Sequence, residues 1–370
     1  MEFMVLDKNY EAIAMIDTFT SAIWTVRYDE CGDFELYTPV RLDYLQSMQI
    51  GNYLWNRDSD RLMVIETVEI ETDAEKGPQL IVTGRSLESI LDRRIIVSSD
   101  VFSGTLPVVI SSILTKEIIG SGNNRVIPNF RYKATTDTRI TGITGLEFTA
   151  RGENVYDIIC SLCQQYKVGW RILPYGSGGF EFELYMGVDR SYNQNEVPYV
   201  VFSPSFENLL NSNYIKSYKA YKNAIYAVGT WQEEVSTGTG TTYEEAEVTA
   251  WGYSEDTEPA GLSRREMFID NGGVNDGEQG GNSTSWNKIN KEKALTELGQ
   301  HQTTTAFEGN LEATRQYSYR VDFDIGDIVQ VANEFDITGT VYISEVVMSQ
   351  DVNGVSITPT FTSTEDETIE

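Results

Sequence analysis

The chain has 370 residues, a length typical of roughly two to four domains, and 40% of them are hydrophobic, which excludes wholesale disorder. Its 28 Lys and Arg against 56 Asp and Glu give a net charge of -28, which argues against nucleic-acid binding and against stable membrane binding. No stretch approaches the about 20 apolar residues of a membrane span, and residues 1–8 lack the basic region and long apolar core expected of a signal peptide.

Residues 1–85 read as strands and tight turns. Trp24–Tyr28 and Asp33–Tyr37 alternate apolar and polar residues, which is the period of a half-buried strand. Further apolar runs at 53–55, 62–70 and 79–83 extend the pattern. We therefore predict an N-terminal β-barrel domain over residues 1–85.

Residues 86–205 are predicted to form an α+β middle domain. Short helices are predicted over 86–94 and over 106–119, where Pro107 lies in the first turn. Asn154 is the predicted N-cap of a third helix whose apolar residues fall on one face. A hairpin around Gly176–Gly179 follows, and this glycine stretch lacks the Gly-Lys-Ser/Thr end of a phosphate-binding loop.

Residues 206–302 are predicted to be mainly β. They include a mobile acidic, glycine-rich loop at 271–281 and a helix over 288–298. Residues 303–362 are predicted to supply the closing strands of a second barrel, and residues 363–370 form an acidic tail.

The closing strands have the clearest pattern in the chain. Apolar and acidic residues alternate here: Val321, Phe323 and Ile325 with Asp322 and Asp324. This pattern predicts a strand over 321–325 with both carboxylates on its solvent-exposed face. Asn353-Gly354 is a strong hairpin signal between the last two predicted strands. The expected fold class is thus β-rich α+β, with two small antiparallel β-barrel domains and an α+β insertion.

Few residue patterns in the chain suggest catalysis or metal binding. Cys160 and Cys163 form a C-x-x-C inside the third helix, and beyond that pair only Cys31 and His301 remain as Cys or His ligands for zinc. A structural role is expected for these cysteines. His301 is the single histidine, and its polar neighbours indicate a surface position.

Two acidic sequence patterns each have a functional and a simpler structural interpretation. Asp322 and Asp324 could act as a glycosidase pair, although a solvated strand face explains them more simply. Residues 270–278 resemble a calcium loop in composition but lack the EF-hand spacing. We therefore expect no catalytic, cofactor-binding or metal-binding residues, and no cofactor.

Several segments resemble, in their order along the chain, the phage tail-hub family, which comprises baseplate hub proteins and the structural N-terminal module of tail-associated lysins. The resemblance spans nearly the whole chain. Its segments are Asp7–Asp17, Trp24, Cys31–Pro39, Arg85–Arg94, Val201–Leu209, Ile325–Val329 and Asn353-Gly354.

The resemblance implies a non-enzymatic, ring-forming homotrimer in the virion, at the tail tip or baseplate. Two similar barrels per subunit would give a pseudo-hexameric ring. One face would dock the tail tube or distal tail protein, the other a spike or fibre, and the tape measure protein is a further possible partner. Any peptidase or glycosidase domain is expected on a separate chain. Because of the net charge, acids are expected to line a channel through which DNA passes as cargo.

Two alternatives belong to other functional classes. A cell-wall hydrolase would need a cleft with two carboxylates about 5–10 Å apart. A carbohydrate-binding, host-recognition module would need exposed stacked aromatic rings, with Trp231 and Trp251 as candidates.

Overall fold

The computed structural model of the chain shows a strand-rich α+β fold. It describes residues 1–73, 77–97, 100–120, 124–237, 240–255, 257–273, 283–299, 301, 304–311, 317–332 and 338–363. Most of the predicted loop at 271–281, and the tail from residue 364, lie outside these residues. No helix in the described ranges is both long and apolar enough to cross a membrane.

The N-terminal part contains seven strands and one short helix, and a 3-10 helix, Leu87–Arg93, follows where a short helix is predicted. Alternation of apolar and polar residues produces alternating burial along β4 and β7. The elements are β1 (Phe3–Leu6), β2 (Ala12–Ile16), β3 (Ser21–Arg27), β4 (Asp33–Pro39), α1 (Leu42–Ser47), β5 (Tyr53–Asn56), β6 (Leu62–Asp73) and β7 (Gly77–Ser86).

The middle part combines helices with short strands around its own core. Helix α2 continues into a π-helical turn, Thr115–Ile119, and the Asn154 side chain caps α4 by accepting from the Tyr156 N–H at 2.8 Å, as predicted. The elements are β8 (Asp100–Gly104), α2 (Leu106–Leu114), β9 (Phe130–Lys133), α3 (Thr138–Thr141), β10 (Leu146–Ala150), α4 (Val155–Gln165), β11 (Gly169–Tyr175) and β12 (Gly179–Tyr185).

The last part contains two long hairpins and one long helix. The predicted helix over 288–298 is present and extends further at its N-terminal end, and the predicted Asn353-Gly354 hairpin is confirmed. The elements are β13 (Val201–Phe202), β14 (Leu209–Ser217), β15 (Ala224–Thr237), β16 (Gly240–Tyr253), β17 (Glu266–Gly273), α5 (Ser283–Gly299), β18 (Thr304–Leu311), β19 (Ile328–Ala332), β20 (Thr338–Asp351) and β21 (Gly354–Ser363).

One sheet joins the two ends of the chain. Its strand order is β14-β18-β21-β20-β3-β4-β7-β6-β5-β1-β2, and β19 pairs with both β20 and β13. The junction is antiparallel pairing of β20 with β3, in which Val346 lies opposite Val26 and Met348 opposite Trp24. Within the described residues this path does not close on itself, so the two closed barrels and the domain boundaries remain predictions.

The buried residues follow the same organisation. Trp24 packs between Phe3 and Phe34 in a core that also contains Ile343 and Phe361, so both ends of the chain share it. A second core lies in the middle part, and two smaller clusters lie between α5 and the separate sheet β16-β15-β17. The large sheet and the middle part therefore meet as two packed bodies.

Candidate functional site

Two of the three cysteines, Cys31 and Cys160, lie close to Tyr156. The Tyr156 hydroxyl is 3.2 Å from Cys31 Sγ and also interacts with Cys160, while Cys160 and Cys163 are buried. Burial raises the pKa of all three thiols. Protonated thiols are poor nucleophiles and poor metal ligands, which favours the expected structural role.

His301 is not placed for triad chemistry. Its side chain is about one-third exposed, and Nε2 lies 3.8 Å from Glu297 Oε1, one helical turn earlier. Within the described residues no group of three or more His, Cys, Asp or Glu side chains is arranged to hold a metal ion. Of the calcium-like segment 270–278, only 270–273 is described, and there Asp270 Oδ1 accepts the Gly272 N–H.

The predicted strand over 321–325 is wrong. Residues 318–327 form successive turns, because Arg320 has a positive φ of 66° and its N–H donates to the Phe323 carbonyl at 2.7 Å. Phe323 and Ile325 are buried, as the alternation predicts, but Val321 is 78% exposed. Asp322 accepts the Ser318 N–H, and burial raises the pKa of Asp324. The two carboxylates are therefore turn elements rather than neighbours on one strand face.

The two candidate tryptophans differ in their surroundings. Trp231 is buried beneath α5 in a small cluster with Val248 and Ile289. Trp251 is only half-buried, and its ring lies 5.0 Å from that of Tyr226 on the other side of the same sheet. Sequence reasoning proposed both residues for stacking, but only Trp251 is available to a ligand.

A cleft of about 460 Å³ lies between α4 and α5. Four carboxylates and one lysine contribute to its lining, namely Glu153, Asp157, Asp270, Glu297 and Lys293. A hydrolase of the kind considered above would need two of these carboxylates to lie about 5–10 Å apart.

A group of buried charges at the contact between the large sheet and the middle part was not predicted. Its members, here called the ionic junction, are Asp60, Arg61, Glu88, Arg171 and Glu183. Arg171 bonds Asp60 at 2.6 Å and Glu183 at 2.5 Å. Burial raises the pKa of Asp60 and Glu183, but the neighbouring cations outweigh it and leave both pKa values below their usual range.

Arg61 is the centre of the ionic junction. Its guanidinium is 2% exposed, donates to the Tyr185 hydroxyl at 2.9 Å and lies 3.8 Å from Glu88. Burial raises the pKa of Tyr185 to about 12, so this hydroxyl stays neutral at physiological pH. These contacts fix how the two bodies meet. The sequence carries no signal for them, because their members are separated by up to about 120 residues of chain.

The large sheet ends in two edge strands within the described residues. β2 pairs with β1 alone and β14 with β18 alone. The sequence of β2 is AIAMI, and Ile13 and Met15 are 47% and 59% exposed. Edge strands are usually protected by charge, proline or irregularity. β2 contains neither charge nor proline, and its one irregularity is a register shift at Ile13 in the pairing with β1.

Comparison with known proteins identifies the family. Residues 2–361 match the family described as Siphovirus ReqiPepy6 Gp37-like protein. The chain belongs to this family. No curated protein was found to match the chain significantly.

Solved structures agree with this assignment at the level of the fold. The 43 kDa tail protein of prophage MuSo2 from Shewanella oneidensis has a TM-score of 0.53 at 12% identity, over 98% of each chain. The tail protein from Neisseria meningitidis MC58 has a TM-score of 0.51 at 11% identity, over 99% of this chain and 98% of that one. The resemblance to phage tail and hub-like proteins is thereby confirmed.

Membership of this family supports a structural role in the virion tail. It also suggests a non-enzymatic role. The surfaces that could contact other tail proteins are therefore of first interest.

Proposed function

We propose that the chain is the structural hub at the distal end of a phage tail or tail-like particle. Three copies form a ring that adapts the sixfold tail tube to a threefold spike or fibre and surrounds the exit channel. The observation that carries this proposal is the family match over residues 2–361. The sheet shared by both ends of the chain gives it a geometric basis.

That sheet consists of two sets of strands joined by the β3–β20 pair. One set is β1–β7, and the other is β20, β21, β18 and β14 with β19 and β13 beside it. In the proposed ring each set curves into one barrel-like unit, so that three chains present six units to a sixfold tube. The middle part and the β15–β17 sheet lie outside these units.

The edge strands supply the contacts between subunits. A head-to-tail contact uses two different surfaces of the same chain and closes into a ring when the rotation fits. β2 of one subunit is apolar and carries neither charge nor proline, and β14 ends the opposite side of the same sheet. We propose that β2 of each subunit docks on the β14 side of the next.

An acidic face provides the channel lining. Glu35 on β4 and Glu69 and Glu71 on β6 surround Tyr37, and all three raise its pKa. A negative lining repels the phosphates of DNA and lets the genome slide without adhering. The tail tube or distal tail protein then docks on one rim of the ring, a spike or fibre on the other, and the tape measure protein can reach the channel from the tube side.

The test is the mass of the purified chain by light scattering, followed by labelling of intact particles. A mass near three times 41.7 kDa and label at the tail tip are expected. A chain that stays monomeric at every concentration and is absent from the tip would contradict the hub. Peptidoglycan cleavage by the isolated chain, abolished by changing Asp157 or Glu153 in the α4–α5 cleft, would favour the hydrolase instead.

A further inference from the structure

The small sheet β16-β15-β17 has two unlike faces. Helix α5 covers one face, where Ile225, Ala227 and Leu298 are buried. Gly252 belongs to this face, because a Cβ at that position would lie 2.9 Å from the Leu295 side chain. Residues that alternate with these buried positions must point to the opposite face.

The opposite face carries a row of aromatic side chains. Tyr226 on β15 is directly opposite Trp251 on β16 and Phe268 on β17. The ring centroids are 5.0 Å apart for Tyr226 and Trp251 and 6.3 Å apart for Tyr226 and Phe268. Phe268 is 62% exposed, while the other two rings are half-buried. We call these three residues the aromatic row.

One end of the aromatic row is held rigid. Tyr253 stacks beside Trp251 at 6.4 Å with an interplanar angle of 11°. The Arg264 guanidinium lies 4.5 Å from the Trp251 ring centroid and is itself bonded by Glu258 and Glu266. Cation–π stacking of this kind orients the indole, so the ring is positioned before any ligand arrives.

Polar groups follow immediately along the same face. The next cross-strand row is Thr249, Val228 and Asp270, and both Thr249 and Asp270 are exposed. Because β17 is an edge strand, Asp270 also borders the α4–α5 cleft. A hydroxyl and a carboxylate next to a strip of ring faces complement a molecule that has apolar C–H faces and a rim of hydroxyl groups. Saccharides have both features.

The exposed area distinguishes a saccharide from a protein partner. A fully buried aromatic side chain covers about 150–250 Å², so the exposed parts of the aromatic row amount to at most roughly 300 Å². A stable protein interface needs about 800 Å² from each partner. The aromatic row is therefore too small to hold a folded protein alone, but it is large enough for a few sugar rings.

The charge of the surface around the aromatic row indicates which class of saccharide it can bind. Residues 224–273 contain ten Asp and Glu against Arg264 and Arg265, and Arg264 is already engaged by two glutamates. Such a surface repels phosphate-rich and carboxylate-rich polymers. We propose that the aromatic row binds a neutral saccharide, with sugar rings stacked on Trp251, Tyr226 and Phe268 and hydroxyl groups directed to Thr249 and Asp270.

The experiment presents the full-length purified chain to an array of neutral and anionic glycans, with soluble maltohexaose, cellohexaose, laminarihexaose and chitohexaose titrated by calorimetry and Trp fluorescence. At least one neutral glycan should bind with a Kd of about 1 mM or tighter. Phe268→Ala and Trp251→Ala should each weaken that binding by at least about tenfold. Phe268 is largely exposed, so its truncation should leave folding intact.

Val352→Ala is the matched control, because Val352 is 92% exposed and lies at the β20–β21 turn, outside the small sheet. It should bind the glycan like the wild type. The proposal is overturned if no neutral glycan binds, or if binding is unchanged in Phe268→Ala. It is also overturned if Phe268→Ala instead abolishes self-association in the absence of any glycan, since the occupant would then be a second copy.

Discussion

Arg61 and Glu88 form an ion pair in which both side chains are only 2% exposed, with Nε 3.8 Å from Oε1. Arg61 precedes strand β6 of the large sheet, and Glu88 lies in the 3-10 helix that opens the middle part. Glu88 Oε1 also accepts the Ile172 N–H of β11 at 3.2 Å. The pair therefore joins three segments that are distant in sequence.

Arg61→Ala should lower the free energy of unfolding by about 3–5 kcal/mol, because it leaves Glu88 as an uncompensated buried charge. Urea denaturation followed by Trp fluorescence measures this. Arg57→Ala is the control, since Arg57 pairs with Glu2 on the surface, where an ion pair contributes about 1 kcal/mol or less. Equal losses of unfolding free energy in the two variants would show that the ionic junction does not hold the large sheet and the middle part together.

Gly169 is expected to be intolerant of a side chain. A Cβ there would lie 2.2 Å from the ring of Tyr28, which is buried between the large sheet and the middle part. Gly169→Ala should therefore destabilise the fold by about 1–3 kcal/mol through overpacking. Gly299→Ala, at a position with no atom within 4 Å, should be neutral or slightly stabilising. Thermal unfolding of both variants checks the difference, and similar Tm values would contradict it.

Asp29 should make stability depend on pH. Burial, and then the charge of Glu30, raises the pKa of Asp29 from 3.8 to about 7. Because the folded state holds this proton more tightly than the unfolded state, the contribution of Asp29 is complete below about pH 4 and is lost as pH rises through about 7. Asp29→Asn should therefore match the wild type only below about pH 4, be moderately more stable at pH 5 and reach its full advantage by about pH 8.

Urea denaturation of both proteins across this range provides the measurement. Glu69→Gln, at an exposed position on β6, is the control and should track the wild type. An Asp29→Asn variant whose stability relative to the wild type does not change between pH 5 and pH 8 would refute the linkage.

Local patterns in the sequence predicted local structure well. The Asn154 cap, the one-sided α4 and the Asn353-Gly354 hairpin depend on neighbouring residues, and all are present. The strand over 321–325 was wrong because a turn with Arg320 at positive φ buries Phe323 equally well. The alternation predicted the burial of Phe323 and Ile325 but not the 78% exposure of Val321, and the burial of these two residues did not require extended pairing.

Long-range pairing could not be predicted in the same way. Nothing in Val26 or Val346 specifies that β3 and β20 are neighbours, since apolar residues of any two strands could fill those positions. The same applies to the aromatic row, where Trp251 was a candidate but Tyr226 and Phe268 become its neighbours only through cross-strand register. Sequence order indicated the family, and the structure was needed to find its surfaces.

Strand β2 should be required for self-association. Ile13→Lys and Met15→Lys place charges on an exposed apolar edge, a device that blocks strand docking. Each should convert the proposed trimer to monomer at concentrations where the wild type associates, as measured by light scattering. Leu42→Lys is the control, because Leu42 is 72% exposed on α1. If the β2 variants and the control have the same mass, the ring is closed by another surface.

The acidic face around Tyr37 should ease passage of DNA. Combined Glu35→Lys, Glu69→Lys and Glu71→Lys changes create a positive patch that attracts phosphates, so ejection from assembled particles should slow by about tenfold or more at low salt. Raised salt should relieve the delay, because it screens the attraction. The rate is followed by dye fluorescence of released DNA.

The matched control changes three exposed acids of the β15–β16 hairpin, Glu233, Glu244 and Glu245, to Lys. This control alters the net charge by the same amount, but at a surface that lies outside the barrel-like units of the proposed ring. Particles that carry it should therefore eject DNA at the wild-type rate. If both triple variants eject at the same rate, the effect belongs to overall charge rather than to a channel lining. A delay confined to the Glu35, Glu69 and Glu71 variant would place this sheet face on the path of the genome.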